Sequence, residues 1–149
     1  MTGPNYFYSI QAKNGGFWFF PDANSNRIGI GQTPSLVLFS IEKSDSNTVS
    51  LRTVNGYIFS LIQEEKEGAL YLSVAPQKGN NVDEWCKFEM LEVTPGSSKF
   101  TLRSIAGSKN YLSAIQDTKN SPLYVEAQKT TPDEWCEFLI KKVELDDYP

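Results

Sequence analysis

A chain of 149 residues with 40% hydrophobic and 21% charged content can bury one real core and is ordinary for a globular protein. A formal charge of -4, with no basic cluster larger than Lys141–Lys142, excludes the concentrated positive charge that nucleic acid or an anionic membrane requires of a partner. The absence of histidine removes the commonest general base, the Ser-His-Asp and Cys-His constellations and most zinc sites.

No apolar run approaches the ~18 residues needed to span a membrane. The opening MTGPNYFYSIQAKNGG has no basic segment followed by an apolar one, and no Asn-x-Ser/Thr sequon occurs. Two cysteines are too few for a disulfide framework. The expectation is a cytoplasmic chain with both thiols reduced.

In chain order, the first segment runs from YFYSIQ through FWFF and RIGIG to SLVLFSI, with KNGG, PDANSN and TPS between the apolar stretches. The second runs from TVSLRTV through GYIFSLI and LYLSV to EWCKFEM, broken at QEEKEG and QKGNN. The third runs from FTLRSI through NYLSAI and LYVEA to EWCEFLI, broken at QDTKNSP. Leu51-Arg52-Thr53 answers Leu102-Arg103-Ser104, Gly56-Tyr57-Ile58 answers Asn110-Tyr111-Leu112, and Leu70-Tyr71-Leu72 answers Leu123-Tyr124-Val125. In the first segment Ile10 stands for Leu51, Gly16-Phe17-Trp18 answers Gly56-Tyr57-Ile58, and Leu36 and Val37 replace Trp85 and Cys86. Short alternating stretches between turn-forming residues predict strands, and no stretch sustains a helical period. Three units of four strands, at about 6–43, 48–93 and 99–143, predict an all-β chain of twelve short strands closing on one core.

The motif Asp-Glu-Trp-Cys occurs at Asp83–Cys86 and again at Asp133–Cys136, each followed by Phe two residues on. Cys86, Phe88 and Met90 are expected on one strand face, as are Cys136, Phe138 and Ile140, with Val37, Phe39 and Ile41 as the first unit's version. Where one unit uses Val a thiol is not required, so both cysteines are read as small buried hydrophobes. A reactive thiol needs a basic neighbour, and DEWCEF suggests none. The motif is architecture used twice.

The stretch FTLRSIAGSKNYLSA…LYVEA…PDEWCEFLI resembles the units of the fascin and hisactophilin group of β-trefoils over about residues 6–143. That resemblance implies a β-trefoil with pseudo-threefold symmetry. The fold also serves lectins, protease inhibitors and growth factors, so function has to come from the site. Hisactophilin-like binding to membrane and actin relies on histidines, which this chain lacks. Fascin-type bundling uses four trefoils, and this chain holds one. The ricin-type Gln-x-Trp signature is absent, with Asp83-x-Trp85 and Asp133-x-Trp135 in its place.

Alternation in the second strands puts Trp18, Ile58 and Leu112 inward beside Phe20, Ser60 and Ala114. The other face then carries Phe19, Phe59 and Ser113, either covered by a hairpin or forming an apolar patch for a sugar or a protein. Beside Phe19 lie Asp22, Asn24 and Asn26, and the third unit places Asp117 and Asn120 at the matching hairpin. An aromatic face with Asp/Asn hydrogen bonds is how sugars are commonly held, and the same residues also suit a plain solvated turn. Glu64, Glu65 and Glu67 read as a charged hairpin end. No carboxylate pair has the spacing of an acid/base couple, and no Gly-rich loop cradles a phosphate.

The sequence therefore points to a binding protein without enzymatic activity, metal or cofactor. The first expectation is a lectin-like module that binds carbohydrate or serves as a non-catalytic subunit of a larger complex. A fascin-like actin or cytoskeletal module is the alternative, and a trefoil protease inhibitor the third.

Overall fold

A computed structural model describes residues 7–19, 28–31, 38–43, 47–53, 58–62, 71–75, 83–107, 109–116 and 123–143. Twelve strands follow the apolar stretches. They are β1 (Phe7–Gln11), β2 (Phe17–Phe19), β3 (Gly29–Gly31) and β4 (Phe39–Lys43), then β5 (Thr48–Thr53), β6 (Ile58–Ile62), β7 (Tyr71–Ala75) and β8 (Phe88–Glu92), and finally β9 (Lys99–Ser104), β10 (Tyr111–Gln116), β11 (Leu123–Lys129) and β12 (Phe138–Val143). Two 3₁₀ turns, Glu84–Cys86 and Glu134–Cys136, precede β8 and β12.

The first and fourth strands of the units close a ring. β1 pairs with β4, β4 with β5, β5 with β8, β8 with β9, β9 with β12, and β12 returns to β1, all antiparallel. Closure leaves the barrel no open edge. The second and third strands form the hairpins β2–β3, β6–β7 and β10–β11, which cap one end of the barrel. Hairpin meets hairpin at the pseudo-threefold axis, where Ile28 N–H donates to the Leu72 carbonyl at 2.9 Å and Val125 N–H to the Ile28 carbonyl at 3.0 Å. This is a β-trefoil.

The core repeats with the symmetry. Four sets of three residues fill it: Ile10, Leu51 and Leu102; Phe39, Phe88 and Phe138; Trp18, Phe59 and Leu112; and Ile28, Leu72 and Val125. Each is fully buried. The aromatic members meet edge to face, Trp18 on Phe138 with ring centroids 5.2 Å apart and Phe39 on Phe59 at 4.8 Å, the arrangement that ring quadrupoles favour. No single unit could bury such a set alone.

Two expectations change. Arg52 pairs with Ile58 and Arg103 with Tyr111, so Ile58 answers Tyr111 and Phe59 answers Leu112. The second strand of the second unit is thus offset by one residue from the alignment expected, while Trp18 and Leu112 correspond as expected. Because side chains alternate, that single step reverses the faces. Phe59 and Leu61 enter the barrel core, while Ile58 packs in a separate niche against Cys86 and Ser60 is buried outside that core. Trp18, Leu112 and Ala114 do line the core, and Ser113, on the other face as expected, is covered there, near the Trp135 carbonyl. Phe20 and Val37 lie outside the described residues.

The second correction concerns the cysteines. Neither sits on its strand face; each belongs to the 3₁₀ turn before it. Phe88 and Phe138 open the inward face instead, joined by Ile140 and, partly buried, Met90 and Ile41.

Candidate functional site

The repeated Asp-Glu-Trp-Cys motif builds a joint. Asp83 and Asp133 cap their 3₁₀ turns: an Oδ1 of each accepts from the backbone N–H of Trp85 at 3.1 Å and of Trp135 at 2.9 Å. The same oxygens accept from the Cys86 and Cys136 thiols at 3.5 Å. Burial pushes both thiols up from the ordinary value of 9.0, and the neighbouring carboxylate pushes the same way, so both stay neutral and unreactive.

Each tryptophan then reaches into the next unit. The Trp85 ring lies against Gly107 in the β9–β10 turn, where a Cβ would stand 3.1 Å from its Cη2. Gly107 holds φ at 60°, so both the space and the backbone call for glycine. Lys13 in the β1–β2 turn lies over the Trp135 ring at 5.2 Å and pairs with Glu134. A second pair, Lys129 to Asp133 at 3.3 Å, holds the turn from its own unit. Slight burial would push the Asp133 carboxyl up, but the Lys129 ammonium, the Trp135 N–H and the Cys136 thiol together hold it below its usual value. The motif is a staple between consecutive units and not a catalytic centre.

The residues singled out for a sugar fall at hairpin loops. Phe19 ends β2, in register with Ser60 and Ser113 through the Gln11–Phe17, Arg52–Ile58 and Arg103–Tyr111 pairs. Asp22, Asn24 and Asn26 fall in the segment joining β2 to β3, and Asp117 and Asn120 in the one joining β10 to β11; all five lie outside the described residues. β3 and β11 are antiparallel neighbours, with Leu123 opposite Ile30 and Tyr124 opposite Gly29. Glu64, Glu65 and Glu67 are likewise outside the described residues.

A concavity that the sequence reading missed lies on the outer barrel wall between the third and first units. It encloses about 330 Å³, lined by Gln11, Lys13, Lys99, Glu134, Glu137 and Leu139 among others. Gln11 faces Leu139 across β1–β12, and Leu139 faces Lys99 across β12–β9, so three strands contribute one row. These residues are scattered from position 11 to position 139, which is why no local motif announced them. The one available signal was Gln11, which stands where the other units carry Arg52 and Arg103.

No protein-family model matches the chain, and no curated protein matches it in sequence. Solved structures do match. The designed threefold-symmetric protein ThreeFoil overlaps 92% of this chain and 99% of its own at 8% identity, with a TM-score of 0.71. The BEL β-trefoil overlaps 96% and 97% at 12% identity, TM-score 0.70. SeviL, solved bound to the asialo-GM1 saccharide, overlaps 95% and 100% at 16% identity, TM-score 0.62. The likeness at these identities is one of fold.

Proposed function

We propose that this protein is a non-enzymatic, lectin-like β-trefoil that binds carbohydrate. The observation that carries the reading is the full-length match to SeviL, a protein of the same fold solved with a saccharide in place. The chemistry of the chain agrees with binding rather than turnover. It has no histidine, and its two thiols are buried and neutral. In this reading Phe19, Asp22, Asn24 and Asn26 form a sugar locus at the first hairpin, with Asp117 and Asn120 at the equivalent place in the third unit.

A glycan array with the purified protein tests the reading, with Asp22→Ala alongside. Retention of a defined set of glycans is the expected result, and competition by the free sugar confirms its specificity. A blank array overturns the reading. Binding that survives Asp22→Ala moves the locus away from the first hairpin.

A further inference from the structure

The crevice beside Gln11 has a counterpart one unit earlier. In both, a residue at the end of a unit's first strand, Gln11 closing β1 and Arg103 one before the close of β9, pins the turn that follows. Gln11 Nε2 donates to the Gly15 carbonyl at 3.0 Å, and Arg103 Nε donates to the Lys109 carbonyl at 2.8 Å. Gly15 and Lys109 are equivalent residues with left-handed φ of 86° and 57°. Across the barrel wall Gln11 faces Leu139, and Arg103 faces Glu89. The second crevice, lined by Glu89, Arg103, Ser104, Ile105 and Lys109, encloses only about 160 Å³. Arg103 also lies over the Tyr111 ring at 5.3 Å, so its long side chain takes up that groove. Replacing arginine by glutamine and glutamate by leucine at the third–first junction opens the equivalent space to about 330 Å³ and gives it a partly apolar floor.

We infer that this enlarged crevice is a saccharide-binding site, separate from the hairpin loops and resting on the carbohydrate reading above. Its lining carries two ammonium groups, Lys13 and Lys99, and two carboxylates, Glu134 and Glu137, so the formal charges cancel and neither an anion nor a cation is favoured. One end is closed by Lys13, which pairs with Glu134 and covers Trp135. Among the described residues the side chains of Lys99 and Glu137 have no ion-pair or hydrogen-bond partner, which leaves one strong donor and one strong acceptor for a ligand. A neutral ring of hydroxyls matches that lining. Each hydroxyl both donates and accepts, to Glu137 and from Lys99, while a C–H face rests on Leu139 and Ala12. The volume lies at the small end of the roughly 300–1,000 Å³ usual for small-molecule sites, which suits one or two sugar rings.

The test is an NMR titration of the ¹⁵N-labelled protein with the asialo-GM1 saccharide and a panel of neutral methyl glycosides. The expected result is a set of amide shifts at Gln11, Lys13, Gly15 and Leu139. Affinity should fall by about tenfold or more in Lys99→Ala and in Glu137→Gln, since each loses a hydrogen bond to a charged group. Gln11→Arg, which restores the residue of the other units, should close the site to a similar degree. Unchanged thermal midpoints for Lys99→Ala and Glu137→Gln separate lost binding from lost folding. Shifts confined to Phe19, Gly29, Leu123 and Tyr124, with affinity unchanged in all three variants, overturn the crevice site and leave the carbohydrate reading standing. No shift with any member of the panel overturns both.

Discussion

Cys86 and Cys136 show what a residue's surroundings do to its chemistry. Both thiols are fully buried, each with an aspartate oxygen at 3.5 Å and a buried serine beside it. Desolvation disfavours the thiolate, so the folded protein holds these protons to higher pH than the unfolded chain does. Below the ordinary thiol value of 9.0 both states carry the proton, and stability owes no pH dependence to these groups. Above it the unfolded chain ionises first and binds fewer protons, so stability falls as pH rises. Urea unfolding between pH 7 and 10 should therefore show a loss at the alkaline end that is shallower in the Cys86→Ala/Cys136→Ala double variant. Equal slopes for the two proteins would show that the thiols ionise as freely folded as unfolded. The burial of both cysteines was legible from the valine that replaces them in the first unit. Their place in a capped turn was not, because a 3₁₀ turn of three residues leaves no periodic signature.

At the scale of elements, the staple formed by Glu134–Cys136 and the β1–β2 turn joins the last unit to the first. Trp135 packs against the core while still partly exposed, so Trp135→Ala should cost roughly 3 kcal/mol, the low end for a large aromatic. The Lys13 contribution is smaller. Its ion pair with Glu134 is exposed on both sides, and an exposed cation over a ring is worth only ~0.5–1 kcal/mol. A double-mutant cycle of Lys13→Ala with Trp135→Phe, read by thermal or urea unfolding, should give a coupling below about 1 kcal/mol. A larger coupling would place more of the joint's strength in the cation than in packing. The second strands carry the lesson about register. Ile58 and Tyr111 are 53 positions apart, as are Leu72 and Val125, so both strands of a hairpin share one offset. Applying the third strands' offset to the second strands would have placed Phe59 in the core. The match of Tyr57 to Tyr111 hid this, because it sets the second strands one residue out of step with their pairing to Arg52 and Arg103.

For the molecule as a whole, barrel closure depends on pairing the two ends of the chain, with Phe7 opposite Val143 and Ile10 opposite Ile140. Contacts so distant in sequence come at a loop-closure cost that must be met before they stabilise anything. Stopped-flow refolding should therefore be slow, in the millisecond-to-second range of all-β domains, and microsecond folding would show that the units form independently. Repetition, turn residues and alternation by themselves pointed to twelve short strands in three units around one core, because binary patterning at period two is a local property that each unit states afresh, and the trefoil arrangement was what the resemblance to the fascin and hisactophilin group implied. Phe19 ends β2, while Asp22, Asn24, Asn26, Asp117 and Asn120 lie outside the described residues, in the segments that join β2 to β3 and β10 to β11. Only the tertiary structure decided that Trp85 and Trp135 bridge consecutive units, that Phe59 belongs to the core, and that Gln11, Lys99, Glu137 and Leu139 line one crevice. The physical reason is that these depend on which strands become neighbours when the barrel closes, and adjacency across a closed sheet is not written in any local stretch of the chain.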